Sequence, residues 1–228
     1  MDISATLTQK NMQLWIQSSY RTKDKIEELK KIFQNNAPFP HVELNDFFNE
    51  EKLLKVVRSL AKEQFLEKES DLFKFMQTGD LSVSQIAEIQ ELYAFLSSKE
   101  LITFMEEITG TKLKSGTIDL FGSMYQNTDF LLPHDDQLEG RKIAFLIYLS
   151  NLQPKDGGKL MFYKTKGSIP KEEEKAIIPQ FNKCIFFKVS KKSFHEVEEV
   201  ITNTQRIALG GWFHGAHAKS TVSQEAKY

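Results

Sequence analysis

Residues 131–149 read LLPHDDQLEGRKIAFLIYL. His134 and Asp136 stand two apart at the end of a short apolar run. In extended chain that spacing puts both side chains on one face, because strand side chains alternate with period two. Asp135 then points the other way. The run Phe145 to Leu149 that follows is apolar at every position, as expected of a strand buried on both faces. A single His-x-Asp pair is common in polar loops. Here Ser193-Phe194-His195 supplies a second histidine far along the chain, ahead of the apolar segment RIALGGWFHG at 206–215. Two histidines and one carboxylate form the facial ligand set that binds non-haem Fe(II) and leaves coordination positions open. His134, Asp136 and His195 are the candidate ligands, provided the fold returns the strand of His195 to the first pair.

Working outward, everything from Lys112 onward reads as strand: short apolar runs divided by Gly, Pro, Asn and Asp. The expected strands are Ile118–Gln126, Phe130–His134, Ile143–Leu149, Leu160–Tyr163, Ala176–Ile178, Lys183–Val189, Phe194–Val197 and Arg206–Phe213. Eight strands of this length suit a double-stranded β-helix, or jelly roll. The charge run Lys171 to Lys175 reads as a solvated loop. The first third is helical by periodicity. Met12, Ile16, Ile26, Leu29, Ile32 and Phe33 fall at helical spacings, with a break near Ser18 to Thr22. Ala37-Pro38-Phe39-Pro40 ends that region, and His41 to Leu44 reads as a short strand. Asn49 caps a second helix carrying Leu53, Leu54, Val57, Leu60 and Ala61. A third starts near Ser82 or Ser84, and a fourth runs from Lys99 to Ile108 and stops at Thr109-Gly110. The fold class is therefore α+β with a mainly β core, its N-terminal helices covering one sheet. The expected organisation is a helical region over 1–37, one domain over 38–215 and a flexible tail over 216–228.

Composition narrows the function. The 228-residue chain carries a formal net charge of −1, which leaves no polycationic footprint for nucleic acid. A single cysteine, Cys184, excludes an internal disulfide and suits a reducing compartment. No apolar run approaches the roughly 20 residues that cross a bilayer, and no signal-peptide core opens the sequence. A cytoplasmic or nuclear protein is the expectation.

Arg206 stands apart on physical grounds. On its strand, Arg206, Ala208, Gly210 and Trp212 share one face, and Ile207, Leu209, Gly211 and Phe213 the other. The arginine face is small until Trp212, which leaves room for a ligand beside a guanidinium. A bidentate Arg–carboxylate pair is the usual means of holding a planar carboxylate.

The order of these pieces resembles the 2-oxoglutarate and Fe(II)-dependent oxygenases, in particular the prolyl hydroxylase branch. The pieces are PHDD, RKIAFLIYL, Asp156-Gly157-Gly158-Lys159-Leu160, Cys184 to Phe187, SFHEV and RIALGGWFHG. Within that branch the resemblance runs to the catalytic domain of the ribosomal prolyl hydroxylases, from about Pro38 to Gly215. It implies Fe(II) on His134, Asp136 and His195, with 2-oxoglutarate and O2 as co-substrates and ascorbate as an accessory reductant. It further implies that Arg206 binds the distal carboxylate of 2-oxoglutarate and that Tyr125 and Tyr148 hydrogen-bond the same molecule. Both tyrosines read equally well as core aromatics. Trp212 reads either as a wall for a substrate proline or as a core tryptophan. Asp71 to Leu81 resembles the strand-loop that covers substrate in this branch. His41, His214 and His217 read as structural or surface residues. The implied substrate is a proline of a small-subunit ribosomal protein. The implied second, non-catalytic domain of the same architecture does not follow Gly215 in this sequence. A hydroxylase of another peptide or a free amino acid, or a non-catalytic binding module of the same fold, are the alternatives.

Overall fold

The computed structural model describes residues 11–216. His217 and the rest of the expected tail beyond Ala216 lie outside the described residues, as do the first ten positions of the helical region. Helical residues 11–15 precede α1 (Lys23–Asn35). Three more helices are α2 (Glu50–Leu60), α3 (Ala87–Leu96) and α4 (Lys99–Thr109). Each of three N-caps follows the sequence chemistry. Thr22, Asn49 and Ser98 accept hydrogen bonds from the backbone N–H groups of Lys25, Lys52 and Leu101. The third helix starts later than Ser82 or Ser84. Asp80 caps a short 3-10 turn over Leu81–Val83, and α3 opens only at Ala87, after Ile86.

Eleven strands follow the chain: β1 (His41–Leu44), β2 (Phe65–Ser70), β3 (Phe73–Thr78), β4 (Leu113–Tyr125), β5 (Phe130–His134), β6 (Arg141–Tyr148), β7 (Leu160–Lys166), β8 (Ile169–Ile177), β9 (Cys184–Lys188), β10 (His195–Val197) and β11 (Arg206–Gly215). They pair in the order β1-β9-β6-β11-β4-β3-β5-β10-β7-β8, with β2 added to β3. The sheet curls on itself as a jelly roll. This is visible in packing: Tyr148 and Ala208 from the first half of the order share a buried cluster with Leu160, Phe162 and Ile177 from the last strands.

Alternation sorts the two faces. Ile143, Phe145 and Ile147 of β6 join Cys184, Phe186, Leu209 and Phe213 in the large cluster that packs on the helices. Ala144 and Tyr148 point into the roll. The strand over 145–149 is apolar on both sides because helices cover one side and the roll interior the other.

Two expectations need correction, and one strand was not foreseen. Lys171 to Lys175 is not a loop but the middle of β8, the last strand of the order. A run of charged side chains on a terminal strand is a common guard against edge-to-edge pairing, and it hides the strand signal. Residues 65–70 form β2, which pairs with β3 as a hairpin across Asp71-Leu72; the mostly exposed FLEKES sequence gave no apolar pattern to read. β4 starts at Leu113, five positions ahead of Ile118.

Candidate active site

His134 is the last residue of β5, and Asp136 lies just beyond it with φ +60°. Their proximity therefore does not come from strand alternation. The backbone at Asp136, beyond the strand end, takes a left-handed φ, which aspartate tolerates better than most side chains. His195 opens β10 and pairs directly with His134 in the antiparallel register. The ligand atoms of His134, Asp136 and His195 all lie within 4.8 Å of one another. Asp136 Oδ1 is 3.5 Å from His134 Nε2, and its Oδ2 is 3.3 Å from His195 Nε2.

The imidazoles are oriented for coordination. His134 Nδ1 lies 3.0 Å from the Leu132 carbonyl, and His195 Nδ1 lies 2.9 Å from that of Ser193. A carbonyl accepts only, so each Nδ1 carries a proton, and in the neutral imidazole each Nε2 then presents a lone pair to the shared space. Hydrogen bonding of the distal ring nitrogen is how metal-binding histidines are usually fixed. Burial alone would raise the Asp136 carboxyl. The adjacent His195 and His134 outweigh it and hold the group well below the usual carboxylate range. Burial likewise acts to lower His134, and the Asp136 carboxylate overrides it, leaving the imidazole raised. Two imidazoles and one ionised carboxylate in this spacing could hold a divalent iron.

Arg206 opens β11 opposite Tyr125 on β4. Its side chain is fully buried. Nε donates to the Gly158 carbonyl at 2.9 Å, and Nη2 donates to the Tyr148 hydroxyl at 3.4 Å. Nη1 has no partner. The guanidinium lies about equally over the rings of Tyr125 and Tyr148, 5.0 and 5.1 Å from their centroids. Among the described residues no carboxylate pairs with it. A buried guanidinium with an open N–H is costly unless an anion meets it, so this pocket fits the carboxylate of a small acid. Burial pushes the Tyr148 hydroxyl up, partly offset by Arg206, so it stays protonated and able to donate.

The backbone under Arg206 depends on Gly157-Gly158. Gly157 adopts φ +72° and ψ −151°, nearly inaccessible to other residues. A Cβ there would sit 2.0 Å from the Glu199 carbonyl oxygen. This turn brings the Gly158 carbonyl to Arg206.

Trp212 is placed by other residues. Its indole Nε1 donates to Asp136 Oδ2 at 3.1 Å, and Arg141 covers one ring face with its guanidinium 3.3 Å from the centroid. His214 meets Asp119 at 3.1 Å, and His41 is buried in the roll against Phe39 and Phe162. Phe75 of β3 stacks on Tyr125 at 4.8 Å.

Arg141 and Phe75 escaped the sequence reading. Alternation along β6 would send Arg141 to the helix side with Ile143. The register with β11 shifts between Phe213 and His214, and Arg141 pairs there with His214. Such a shift is invisible in one sequence.

A jelly roll with two histidines and a carboxylate meeting near strand ends, beside a buried arginine, is the arrangement that a non-haem iron oxygenase site requires. Residues 120–214 match the family described as the 2OG-Fe(II) oxygenase superfamily. The match covers less than half of the chain, and members of that superfamily use Fe(II), 2-oxoglutarate and O2. Among curated relatives it is 38% identical over 182 residues to mouse prolyl 3-hydroxylase OGFOD1, an alignment covering 78% of this chain and 33% of the relative. It is 33% identical over 200 residues to the prolyl 3,4-dihydroxylase OGFOD1 of Ostreococcus tauri, covering 79% of this chain and 38% of the relative. The chain thus spans between 33% and 38% of the length of these relatives. A crystal structure of a Pseudomonas putida prolyl-4-hydroxylase superposes with TM-score 0.65 at 18% identity, covering 82% of this chain and 98% of the other. At that identity the match speaks for the fold.

Proposed function

We propose that the chain is a 2-oxoglutarate and Fe(II)-dependent prolyl hydroxylase acting on a protein, and that the substrate is a small-subunit ribosomal protein. The carrying observation is the pairing of a complete His134–Asp136–His195 cluster with a buried, partly unpartnered Arg206. Iron with 2-oxoglutarate and O2 supplies the oxidising power for C–H hydroxylation when bound. The side chains bind, orient and shield. His134, Asp136 and His195 would hold the metal, with both rings fixed by Nδ1–H bonds to backbone carbonyls. Arg206 takes the distal carboxylate of 2-oxoglutarate with its free Nη1–H. Tyr148 and Tyr125 flank that guanidinium and keep water from it. Fully desolvated charge pairs of this kind are stronger than exposed ones.

The prolyl reading draws on the relatives named prolyl hydroxylases. The ribosomal reading draws on the sequence resemblance in both flanks of the cluster. Residues 38–215 would be the catalytic unit, and the protein would work in the cytoplasm or nucleus, in keeping with its single buried cysteine. The test is incubation with purified ribosomal small-subunit proteins, Fe(II) and 2-oxoglutarate, followed by peptide mass analysis. A gain of about 16 Da on one proline, with matching succinate release, is expected. Turnover supported by a free amino acid or another peptide, with no modified ribosomal proline, would replace the substrate assignment.

A further inference from the structure

Among the described residues, the Asp136 carboxylate receives one hydrogen bond from outside the histidine cluster, and it comes from Trp212. Asp136 sits past the end of β5 in a left-handed turn, with no strand pairing to fix it. The indole that reaches it belongs to β11, on the Arg206 face. That indole is clamped. Arg141 lies on it at 3.3 Å and Phe121 leans against it at 5.3 Å. Arg141 is itself anchored, with Nε 3.6 Å from Asp119 Oδ2, while His214 holds the other oxygen of Asp119. The Arg141 side chain is only 8% exposed, and its Nη1 is buried without a hydrogen-bond partner.

We propose that Trp212 is a positioning residue for Asp136, and that Arg141 locks the indole in that role. The inference rests on the metal-site reading above. The N–H occupies one lone pair of Oδ2, so Oδ1 is left as the stronger electron-pair donor. The carboxylate is thereby held in one rotamer and offers one preferred oxygen to a cation. The terminal torsion of an aspartate is broad, so an indole N–H on Oδ2 adds a fixed partner that selects one carboxylate orientation. Outer hydrogen bonds to metal ligands typically govern affinity by ten- to a hundredfold.

The experiment measures Mn2+ affinity by loss of the free-ion EPR signal, and the visible spectrum of the Co2+-loaded protein, for wild type, Trp212→Phe and Arg141→Met. Thermal unfolding of each variant reports folding. Trp212→Phe is expected to weaken Mn2+ binding by about tenfold and to change the Co2+ band shape. Arg141→Met should shift both in the same direction by less. A packing role alone would lower the unfolding temperature and leave the Co2+ spectrum of the folded protein unchanged; that result overturns the inference. If Trp212→Phe does not fold, Arg141→Met carries the test, and wild-type affinity and spectrum in that variant overturn it. Wild-type protein that takes up neither ion overturns the metal-site reading itself. Tight wild-type binding with an unaltered Trp212→Phe overturns only the role of the indole.

Discussion

His195 lies directly across from His134 in the antiparallel pairing of β10 with β5. Two residues far apart in the chain thus become cross-strand neighbours, their ring centroids 4.2 Å apart. The turn at Asp136 then brings the carboxylate to both. A single acidic substitution separates the two aspartates. Asp136→Ala should abolish turnover and metal uptake while the protein remains folded. Asp135→Ala should keep measurable uptake, because Asp135 accepts from the main-chain and side-chain N–H groups of Gln137 and is not among the clustered ligands. Titration with Mn2+ followed by EPR decides it. Equal uptake by wild type and Asp136→Ala would remove the carboxylate from the site.

Arg206→Ala should raise the 2-oxoglutarate requirement by about ten- to a hundredfold, the equivalent of roughly 1.5–3 kcal/mol for a lost charge-assisted hydrogen bond. Arg206→Lys should recover only part, because an ammonium cannot reproduce the planar fork that also reaches Gly158 and Tyr148. Calorimetric titration of 2-oxoglutarate into the Mn2+-loaded protein reads this directly. Wild-type affinity in Arg206→Ala would end the carboxylate assignment.

Gly157→Ala should cost at least about 2 kcal/mol of stability, from a backbone conformation closed to alanine and a contact at the Glu199 carbonyl. It should also weaken 2-oxoglutarate binding, because the next residue's carbonyl holds Arg206. Urea unfolding and the same calorimetry check the two halves. A variant as stable as wild type would show that the turn can relax.

His41 predicts a pH dependence of stability. It is fully buried, and burial depresses its imidazole, with Lys175 acting the same way against the Phe39 carbonyl and Glu43. The unfolded chain therefore binds the proton more readily. Stability is fully present above the unfolded value of roughly 6.5 and is lost as pH falls from there through the depressed folded value. His41→Phe should flatten that loss. Denaturant midpoints of both proteins at neutral and mildly acidic pH test it, and parallel slopes would refute it.

How much of this was open to a reader of the sequence depended on the kind of signal. The buried strand ending at Tyr148, the arginine face of β11 and the cap at Asn49 follow from local periodicity and side-chain chemistry. The proximity of His134, Asp136 and His195 was legible through the spacing and order of the residues. Its mechanism was not, because the left-handed turn at Asp136 leaves no trace in composition. β2 and β8 were hidden by their charge. Arg141 was hidden by a register shift set by two strands at once. The hydrogen bond from Trp212 to Asp136 joins residues whose nearness only the closed roll decides.

The short strand β3 has a further consequence. Its first residues, Phe73 and Lys74, pair with β5, while Met76 and Gln77 pair with β4. It is the seam between the strand that carries His134 and the strand that carries Tyr125. Any breathing of the roll at this mouth must break those few amide bonds first. Exchange of β3 amides with deuterated solvent therefore gauges how often the two co-substrate subsites part company. Because Phe75 rests on Tyr125, a small acid seated beside Arg206 should slow that exchange before any protein substrate arrives.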